Sequence, residues 1–540
     1  MKLTVEGLKD VKAWSSKGYH LPEFDREKMI KDTEENPKWV HFGAGNIFRA
    51  YHAVLAQKLL EAGKETSGII VAEGFDYEIV EKAYSKYEDL SILAILKSNG
   101  SIEKQVIGSI AKSCILDSNK EDEFSYLKKV FAAKSLQMAT FTITEKGYSL
   151  KTPSGEMMDA VKNDIENGPS KPQSYIGKVA ALLYSRYEAG KYPIAMVSTD
   201  NCSHNGEKLF AAIHAFAKGW AENGKVEEGF VSYIEDENKV SFPWSMIDKI
   251  TPRPDSGVEA MLEKDGIEEL NPVITSKNTY VAPFVNAEES EYLVIEDSFP
   301  NGRPSLEDAG VIFADRETVN RTERMKVTTC LNPLHTALAV YGCVLGYTKI
   351  SEEMKDEDLV KLITKIGYVE GLPVVTDPKV IKPKEFIDTV VKVRLPNPFM
   401  PDSPQRIATD TSQKLSIRYG ETIKSYMAAE DKDVMSLDAI ALAQAGWLRY
   451  LLGVDDNGNE FERSSDPLLE ELDKTMKQFT LGDNLSTSEA KEKLSSILTR
   501  KDIFGVDLIE CGLAEKVVTY FVSELKATGA VRQTLRKALD

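Results

Sequence analysis

Four short apolar runs, each rich in β-branched residues, alternate with longer amphipathic segments in the first part of the chain. Runs of this length are typical of strands buried on both faces, whereas FRAYHAVLAQKLLEAG has the spacing of an amphipathic helix. Strands that alternate with helices predict an α/β fold with a mostly parallel, doubly wound sheet. The four runs are KWVHFGAG, TSGIIVAEGF, MATFTITEKGY and YPIAMVSTDN.

The pattern changes around VIEDSFPNGRPSLEDAG, and helical runs such as SLDAIALAQAGWLRYLLG and AEKVVTYFVSELKATG predominate beyond it. A chain of 540 residues is also too long for one ordinary hydrophobic core. We therefore predict a Rossmann-type, doubly wound domain over residues 1–312 and a mainly α-helical domain over residues 313–540.

Composition excludes several classes of protein. The formal charge of −18 argues against nucleic acid and anionic membranes as partners. Five cysteines without a CxxC pair fit neither a disulfide framework nor a zinc ribbon, and none of the six histidines pairs at HxxxH or HExxH spacing. We therefore expect no bound metal. Because no apolar leader or long apolar stretch occurs, we expect a cytoplasmic protein.

The segment HFGAGNIFRAYHA places Gly43 and Gly45 directly after a predicted strand and before a predicted helix. Glycines there permit a tight turn and let backbone N–H groups approach a pyrophosphate, with Asn46 in the same turn. The third glycine of the usual fingerprint is replaced by Phe48, and Arg49 could add a charged contact to phosphate. The alternative is a turn with a purely structural role.

Two acids follow the second predicted strand. Glu73 and Asp76 stand where a carboxylate would accept hydrogen bonds from a ribose 2′-hydroxyl and repel a 2′-phosphate. This favours NAD over NADP, with Asp76 the preferred acid, although either residue could be an ordinary loop acid.

Two further strand ends carry polar side chains, and ligands of open α/β sheets bind beyond the carboxyl ends of strands. Thr144 closes one strand, and Asp200 and Asn201 close another. These positions favour function, although an Asx-turn or a helix cap would also explain the second group.

Six motifs occur in order over the first two thirds of the chain and together resemble the polyol-specific long-chain dehydrogenase (mannitol dehydrogenase) family. That family includes mannitol 2-dehydrogenase, fructuronate reductase (D-mannonate oxidoreductase) and tagaturonate reductase. The resemblance implies a metal-independent oxidoreductase that uses NAD(P), joins a Rossmann-type domain to a helical substrate domain and is a monomer. The motifs are HFGAGNIFRA, TITEKGY, STDNCSHNG, SFPWSMIDKITP, EDSFPNGRP and ERMKVTTCLNPLH.

The same resemblance assigns roles by position. Lys326 matches the catalytic base, Asn332 and Asn201 match the asparagines that stabilise an oxyanion, and His335 matches the substrate histidine. Glu323 matches a carboxylate that gates proton exit. The substrate-contacting positions of the family are matched by Asp248, Arg406 and Lys414, the last two in QRIATDTSQK.

The substrate is less constrained by the resemblance. An arginine fork suits a carboxylate, yet family members that act on neutral polyols carry the matching Arg–Lys pair. The length of the chain and the NPLH variant favour D-mannonate and D-fructuronate. Mannitol with fructose is the first alternative and tagaturonate the second, and a non-catalytic nucleotide-binding sensor is an alternative of another class.

One feature departs from the family. Five residues separate Lys326 from Asn332, where the family has four. At about 100° per residue, an unbroken α-helix would place Lys326 and His335 on opposite sides. A single-residue π-bulge would absorb the extra residue, and Pro333 already interrupts the hydrogen-bond ladder. Alternatively, a new helix begins here, with Asn332 as its N-cap and Pro333 at its first position.

The absence of metal-ligand motifs gives a first prediction. Because no histidine, cysteine or carboxylate set has ligand spacing, oxidoreductase activity should survive dialysis against EDTA. The measurement is the rate of NADH oxidation before and after chelation. Loss of activity that added zinc restores would contradict the prediction.

Overall fold

The computed structural model describes residues 1–540 and contains two compact units. Unit 1 comprises Met1–Lys97 and Ser101–Asn320, and unit 2 comprises Ser98–Gly100 and Arg321–Asp540. The division therefore lies later than the expected one between residues 312 and 313. The reason is the strand Ile312–Ala314, which pairs in parallel with Tyr292–Glu296 and so belongs to the sheets of unit 1.

Unit 1 is built on a six-stranded sheet in which every neighbouring pair is parallel. Its spatial order is β3-β2-β1-β4-β5-β6, the order of two joined mononucleotide-binding halves. The four strands predicted from apolar runs are confirmed as β1, β2, β4 and β5. The strands are β1 (Trp39–Phe42), β2 (Ile69–Glu73), β3 (Ile110–Ile115), β4 (Met138–Phe141), β5 (Ile194–Ser198) and β6 (Val240–Ser241).

The register of this sheet brings its loops together. Phe42 at the end of β1 pairs with Ala72 of β2 and Phe141 of β4, and Phe141 pairs with Ser198 of β5. The loops that follow these strands therefore meet at one edge of the sheet, where open α/β sheets bind ligands.

Helices and smaller sheets complete unit 1. The π turn Phe48–His52 leads into the first crossover helix. The α-helices are Val11–Ser16, Arg26–Glu35, Ala53–Glu61, Glu121–Ala132, Thr144–Gly147, Asp159–Asn167, Tyr175–Gly190, Asn205–Glu222, Glu228–Glu235 and Ser256–Lys264. The remaining sheets contain Tyr19–His20, Ile102–Ile107, Ser91–Leu96 and Phe284–Glu288; Ser245–Asp248, Tyr292–Glu296 and Ile312–Ala314; and Val273–Ile274 with Tyr280–Val281.

Unit 2 is helical, as predicted. The helix Asp438–Tyr450 lies at its centre with nearly every residue buried, and Ala514–Leu525 packs against it. No helix of the structure combines the length and the apolar character needed to cross a bilayer. The other α-helices that follow Arg316–Met325 are Asn332–Leu345, Ile350–Glu353, Glu357–Thr364, Pro383–Thr389, Pro404–Ile407, Glu421–Ala428, Leu469–Met476, Thr487–Leu498, Lys501–Phe504 and Ala530–Leu539.

Candidate active site

A cavity of about 560 Å³ opens at the loop edge of the large sheet in unit 1. Apart from Thr279, its lining comes from the loops after β1, β2 and β4 and from a segment ending at the start of the helix Tyr175–Gly190. The lining residues that matter below are Gly43, Gly45, Glu73, Asp76, Thr142, Thr144 and Tyr175. The cavity therefore lies where the sheet topology predicts a ligand.

Glycine is favoured at the two positions of the turn after β1 for different structural reasons. Gly43 has a φ of +104°, and an added Cβ would lie 2.2 Å from the carbonyl oxygen of Thr142. Gly45 meets nothing within 4 Å, so a side chain there would project into open space beside the cavity. The first glycine lets two loops touch, and the second leaves room for a ligand close to the backbone.

The carboxylate of Glu73, at the end of β2, accepts hydrogen bonds from three backbone N–H groups. One carboxylate oxygen accepts from the backbone N–H of Ala44 at 2.8 Å, and the other accepts from those of Phe75 and Asp76 at 2.7 and 3.0 Å. Glu73 thus ties the glycine turn to the loop after β2, although it also lines the cavity.

The carboxylate of Asp76 has one oxygen without a hydrogen-bond partner. Its Oδ2 accepts the Thr275 hydroxyl at 2.6 Å, whereas its buried Oδ1 has no hydrogen-bond partner. The buried hydroxyl of Tyr175 also lacks a partner, and the Tyr175 ring lies so close to Gly74 that an added Cβ there would sit 2.5 Å from it. An unpaired buried carboxylate oxygen beside a cavity is placed to accept a hydrogen bond from a ligand hydroxyl.

The strand-end loops after β4 and β5 are joined by Asp200. Its carboxylate accepts from the backbone N–H groups of Ile143 and Thr144 at 3.0 and 2.8 Å and from the Tyr148 hydroxyl. Burial raises the pKa of Asp200, and these donors oppose that shift. Asp200 therefore holds Thr144, whose φ is +63°, against the cavity.

Three of the expected nucleotide-binding residues do not line this cavity. Phe48 is fully buried and stacks on His41 with ring centroids 4.5 Å apart. Arg49 is buried too, and its guanidinium donates to the Ala282 carbonyl at 2.7 Å and to the Asn46 side chain at 3.0 Å. The structure thus places the side chains of Phe48 and Arg49 inside the protein, because both belong to the π turn Phe48–His52, and Asn46 accepts a hydrogen bond from Arg49.

In unit 2, the predicted departure from regular α-helix is confirmed. Lys326–Cys330 form a π turn in which the backbone N–H of Leu331 donates to the carbonyl of Lys326 at 3.1 Å. The helix Asn332–Leu345 follows, with Leu331 as its N-cap. The alternative in which Asn332 is the N-cap is therefore wrong, because the chain continues through the π turn and Asn332 already has a helical position.

The side chains of this segment differ in their exposure and in their hydrogen bonds. Lys326 is only 3% exposed, so it is not a solvated surface lysine. Asn332 is half-buried and its side-chain amide makes no hydrogen bond within the protein, while its carbonyl accepts the Thr336 hydroxyl at 2.8 Å. The carbonyl of Pro333 accepts the Tyr419 hydroxyl at 2.8 Å, which fixes the start of the helix.

Basic groups surround His335. Its Nε2 lies 3.5 Å from Oδ2 of Asp402 but lacks hydrogen-bond geometry, and Asp402 in turn accepts from Arg406. Burial lowers the pKa of His335 to about 4; Asp402 opposes this shift, and Arg418, Arg394 and Arg406 add to it. His335 is therefore neutral near pH 7, in a setting with more positive than negative charge.

Lys414 and Arg418 extend this basic group. Arg418 donates to the Thr336 hydroxyl, and burial lowers its pKa to about 10. Lys414 donates to the carbonyl of Thr409, and burial and then Arg418 lower its pKa. Sequence reasoning found Arg406 and Lys414, but missed Arg394 and Asp402, which no local motif marks.

The remaining expected residues lie as follows. Asn201 is exposed in the loop after β5, and Asp248 is buried at the end of the strand Ser245–Asp248. Glu323 is half-buried in the helix Arg316–Met325, three residues before Lys326. No group of three or more histidine, cysteine or acidic residues is placed to hold a metal ion.

Comparison with known proteins matches both units. The model of the mannitol dehydrogenase Rossmann domain matches residues 37–308, and that of the mannitol dehydrogenase C-terminal domain matches residues 318–526. The D-mannonate oxidoreductase of Thermotoga maritima is 50% identical over 100% of this chain and 99% of its own.

Two solved structures share the fold over nearly the whole chain. A substrate-free D-sorbitol dehydrogenase has a TM-score of 0.77 at 25% identity and covers 97% of this chain and 98% of its own. The mannitol 2-dehydrogenase of Pseudomonas fluorescens, in a ternary complex with NAD and D-mannitol, has a TM-score of 0.68 at 26% identity and covers 100% and 99%.

A Rossmann-type unit with a cavity at its loop edge, followed in the chain by a helical unit whose segment 326–335 carries a buried lysine, an amide and a neutral imidazole, is typical of an oxidoreductase with a separate nucleotide domain. Both family models and the full-length relative agree with that class. The chain belongs to the mannitol dehydrogenase family, as the motifs predicted.

The lowered pKa of His335 predicts a dependence of stability on pH. Between its value of about 4 and the ordinary value of about 6.5, the unfolded chain binds the extra proton, so folded stability falls as pH falls through this range. His335→Gln removes this titrating group. When the pH falls from 7 to 5, the free energy of unfolding should therefore decrease by roughly 1–2 kcal/mol less in the variant than in the parent. Urea denaturation at both pH values measures this.

The exposed His20→Gln provides the control for the loss of one histidine. An unchanged pH dependence in His335→Gln would show that the imidazole is not held in its neutral form.

Proposed function

We propose that this protein is an NAD-dependent oxidoreductase that interconverts D-mannonate and D-fructuronate. The observation that carries the proposal is the 50% identity to a D-mannonate oxidoreductase over the full length of both chains. The basic group around His335 supports it, because the two sugar acids carry a carboxylate that neutral polyols lack.

The residues of unit 1 fit a nicotinamide dinucleotide. Gly45 leaves open space beside the turn that precedes the first crossover helix, where a pyrophosphate can approach backbone N–H groups. The unpaired Oδ1 of Asp76 can accept a ribose hydroxyl, and its charge would repel a 2′-phosphate. When bound, the nicotinamide ring accepts a hydride from the substrate carbon or returns one to it.

Proton transfer is assigned to Lys326. In oxidation, its amine takes the proton of the reacting hydroxyl, and in reduction it returns that proton. A free lysine has a pKa of about 10.4, so a lysine base needs an environment that disfavours the charged form. Lys326 is buried in the π turn, and burial disfavours a charged amine.

The asparagines and the histidine act on the oxygens of the substrate. The amides of Asn332 and Asn201 donate hydrogen bonds to the reacting oxygen as it gains negative charge. His335, held neutral, binds the reacting or the neighbouring hydroxyl, and Glu323 passes the proton onward to water.

Substrate choice is assigned to the basic group. Arg418, Arg406 and Lys414 offer donors to the carboxylate, and arginine forms paired hydrogen bonds with it. Arg394 adds positive charge to the same setting. Mannitol and fructose are the second candidate pair, because the solved mannitol 2-dehydrogenase aligns with the whole chain.

A substrate panel tests the proposal. NADH oxidation is followed with D-fructuronate, D-tagaturonate and D-fructose, and the highest kcat/KM is expected for D-fructuronate. A preference for fructose would move the assignment to mannitol, and NADH binding without turnover of any of the three would indicate a non-catalytic sensor.

Removal of the lysine should abolish most of the chemistry. Lys326→Ala is expected to lower kcat by roughly 10²–10⁴-fold while NADH still binds, because the variant lacks the proton carrier. The exposed Lys392→Ala is the matched control in unit 2 and should keep the parental kcat. A kcat within threefold of the parent in Lys326→Ala would mean that another group, with Lys414 first in line, is the base.

Asn332 offers a separate test of the same helix. Since its side chain caps nothing, Asn332→Ala should leave the unfolding temperature nearly unchanged and lower kcat by about 10²-fold. Thermal unfolding and steady-state kinetics measured on one preparation separate the two effects. A large loss of stability with normal kcat would assign Asn332 a structural role.

Asp76 should decide between the two nicotinamide cofactors. The parent is expected to favour NADH over NADPH, and Asp76→Ser should raise the ratio of kcat/KM for NADPH to that for NADH by about tenfold or more, because the substitution removes the repulsion of a 2′-phosphate. A parent protein that prefers NADPH tenfold would refute the assignment.

A further inference from the structure

His41 lies on β1, two residues before the turn at Gly43, and its role is not explained by the proposed chemistry. The ring is fully buried, and both of its nitrogens are bonded to the neighbouring strand β4 and its loop. Nδ1 lies 2.7 Å from the hydroxyl of Thr140, and Nε2 lies 2.8 Å from the hydroxyl of Thr142. Only Thr142 of these two threonines lines the cavity.

The direction of these bonds follows from a third residue. The indole N–H of Trp39, which can only donate, donates to the Thr140 hydroxyl at 2.7 Å. The proton of Thr140 is then available to Nδ1 of His41, which leaves the proton of a neutral ring on Nε2. Burial, and then the ring of His52 with its centroid 4.6 Å away, lower the pKa of His41 and keep it neutral.

The consequence falls on Thr142. Its oxygen accepts the Nε2–H of His41, so its own proton must point to another acceptor. Within the protein that acceptor is the carbonyl of Gly43 at 3.5 Å, the long limit of a hydrogen bond. A hydroxyl that lines a cavity and has such a weak acceptor can donate to a ligand.

The packing around His41 keeps this hydroxyl in place. The ring stacks on Phe48, in the π turn after the glycine turn, and the carbonyl of Thr142 fills the space where Gly43 lacks a side chain. The backbone N–H of Thr142 also donates to the carbonyl of Phe42 at 2.9 Å. One buried ring therefore connects the glycine turn, the helix that follows it and the end of β4.

We propose that the Thr142 hydroxyl donates a hydrogen bond to the pyrophosphate of the bound dinucleotide and that His41 is the positioning residue that orients it. The inference rests on the proposed function, since it requires the cavity to hold a nicotinamide dinucleotide. A phosphate oxygen is the acceptor because it is anionic and because Thr142 touches the glycine turn, where the pyrophosphate of such a ligand lies.

Binding measurements with three matched variants test the threonine. Thr142→Val should weaken binding of NADH and of ADP-ribose by about tenfold or more, and should leave binding of AMP, which has no pyrophosphate, within about twofold. Thr142→Ser keeps the hydroxyl and should bind like the parent. Thr199→Val, at a buried threonine that is bonded to His52 and does not line the cavity, is the control and should bind like the parent.

A double-mutant cycle tests the role of His41. If the ring acts through Thr142, His41→Gln should weaken NADH binding in the parent but cause no further loss in the Thr142→Val background. Additive losses would overturn the positioning role. Because His41→Gln could unfold the strand, Thr140→Val, which breaks the same chain from its other end, is carried through the same cycle.

The outcomes separate this inference from the proposed function. If the parent binds NADH and Thr142→Val binds it equally well, the inference is overturned while the cofactor assignment stands. If the parent binds no NADH, the cofactor assignment is overturned and the inference with it.

Discussion

The site in the helical unit depends on one hydrogen bond that spans five residues instead of four. By donating to the carbonyl of Lys326, the backbone N–H of Leu331 widens the helix for one turn and absorbs one residue between Lys326 and Asn332. The turn lies where Pro333 could not have continued the α-helical ladder in any case. Lys326 is consequently buried and does not point to solvent. The π turn also sets the direction in which Asn332 and His335 project from the helix that follows.

Backbone geometry also determines where the important side chains of the nucleotide unit lie. Gly43 has a positive φ, which favours glycine, and its lack of a side chain lets the loop after β4 contact the turn after β1. The carboxylates of Glu73 and Asp200 then fasten these loops through backbone N–H groups. The cavity is thus lined by loops whose positions are already determined before any ligand binds, which lowers the ordering cost of binding.

Sequence patterns predicted the parts of this molecule that are local. Strands β1, β2, β4 and β5 appear as continuous apolar runs because both of their faces are buried. Strand β3 was missed because Lys112 and Ser113 interrupt its apolar pattern, and β6 because it has only two residues.

The site residues also fall into those that a local motif predicts and those that only tertiary packing brings together. Gly43, Gly45 and Asp76 lie in short motifs whose spacing carries the information, whereas Arg394 and Asp402 reach His335 only through tertiary packing. Arg49 shows a further limit, since a motif gives the position of a side chain but not the direction in which a π turn points it. The division after Asn320 depends on the pairing of Ile312–Ala314 with a distant strand, which no local sequence pattern indicates.

Glu73 has a consequence for attempts to redesign the cofactor preference. In many Rossmann folds the acid at the end of the second strand is the residue exchanged to admit a phosphorylated ribose. Here that acid is a structural tie between two loops, and the carboxylate with a free oxygen stands three residues later, held by Thr275 from a distant part of the chain. The residue that joins the two loops and the residue with the unpaired carboxylate oxygen are therefore different, so an engineer can vary Asp76 and Thr275 while Glu73 keeps its hydrogen bonds to the glycine turn.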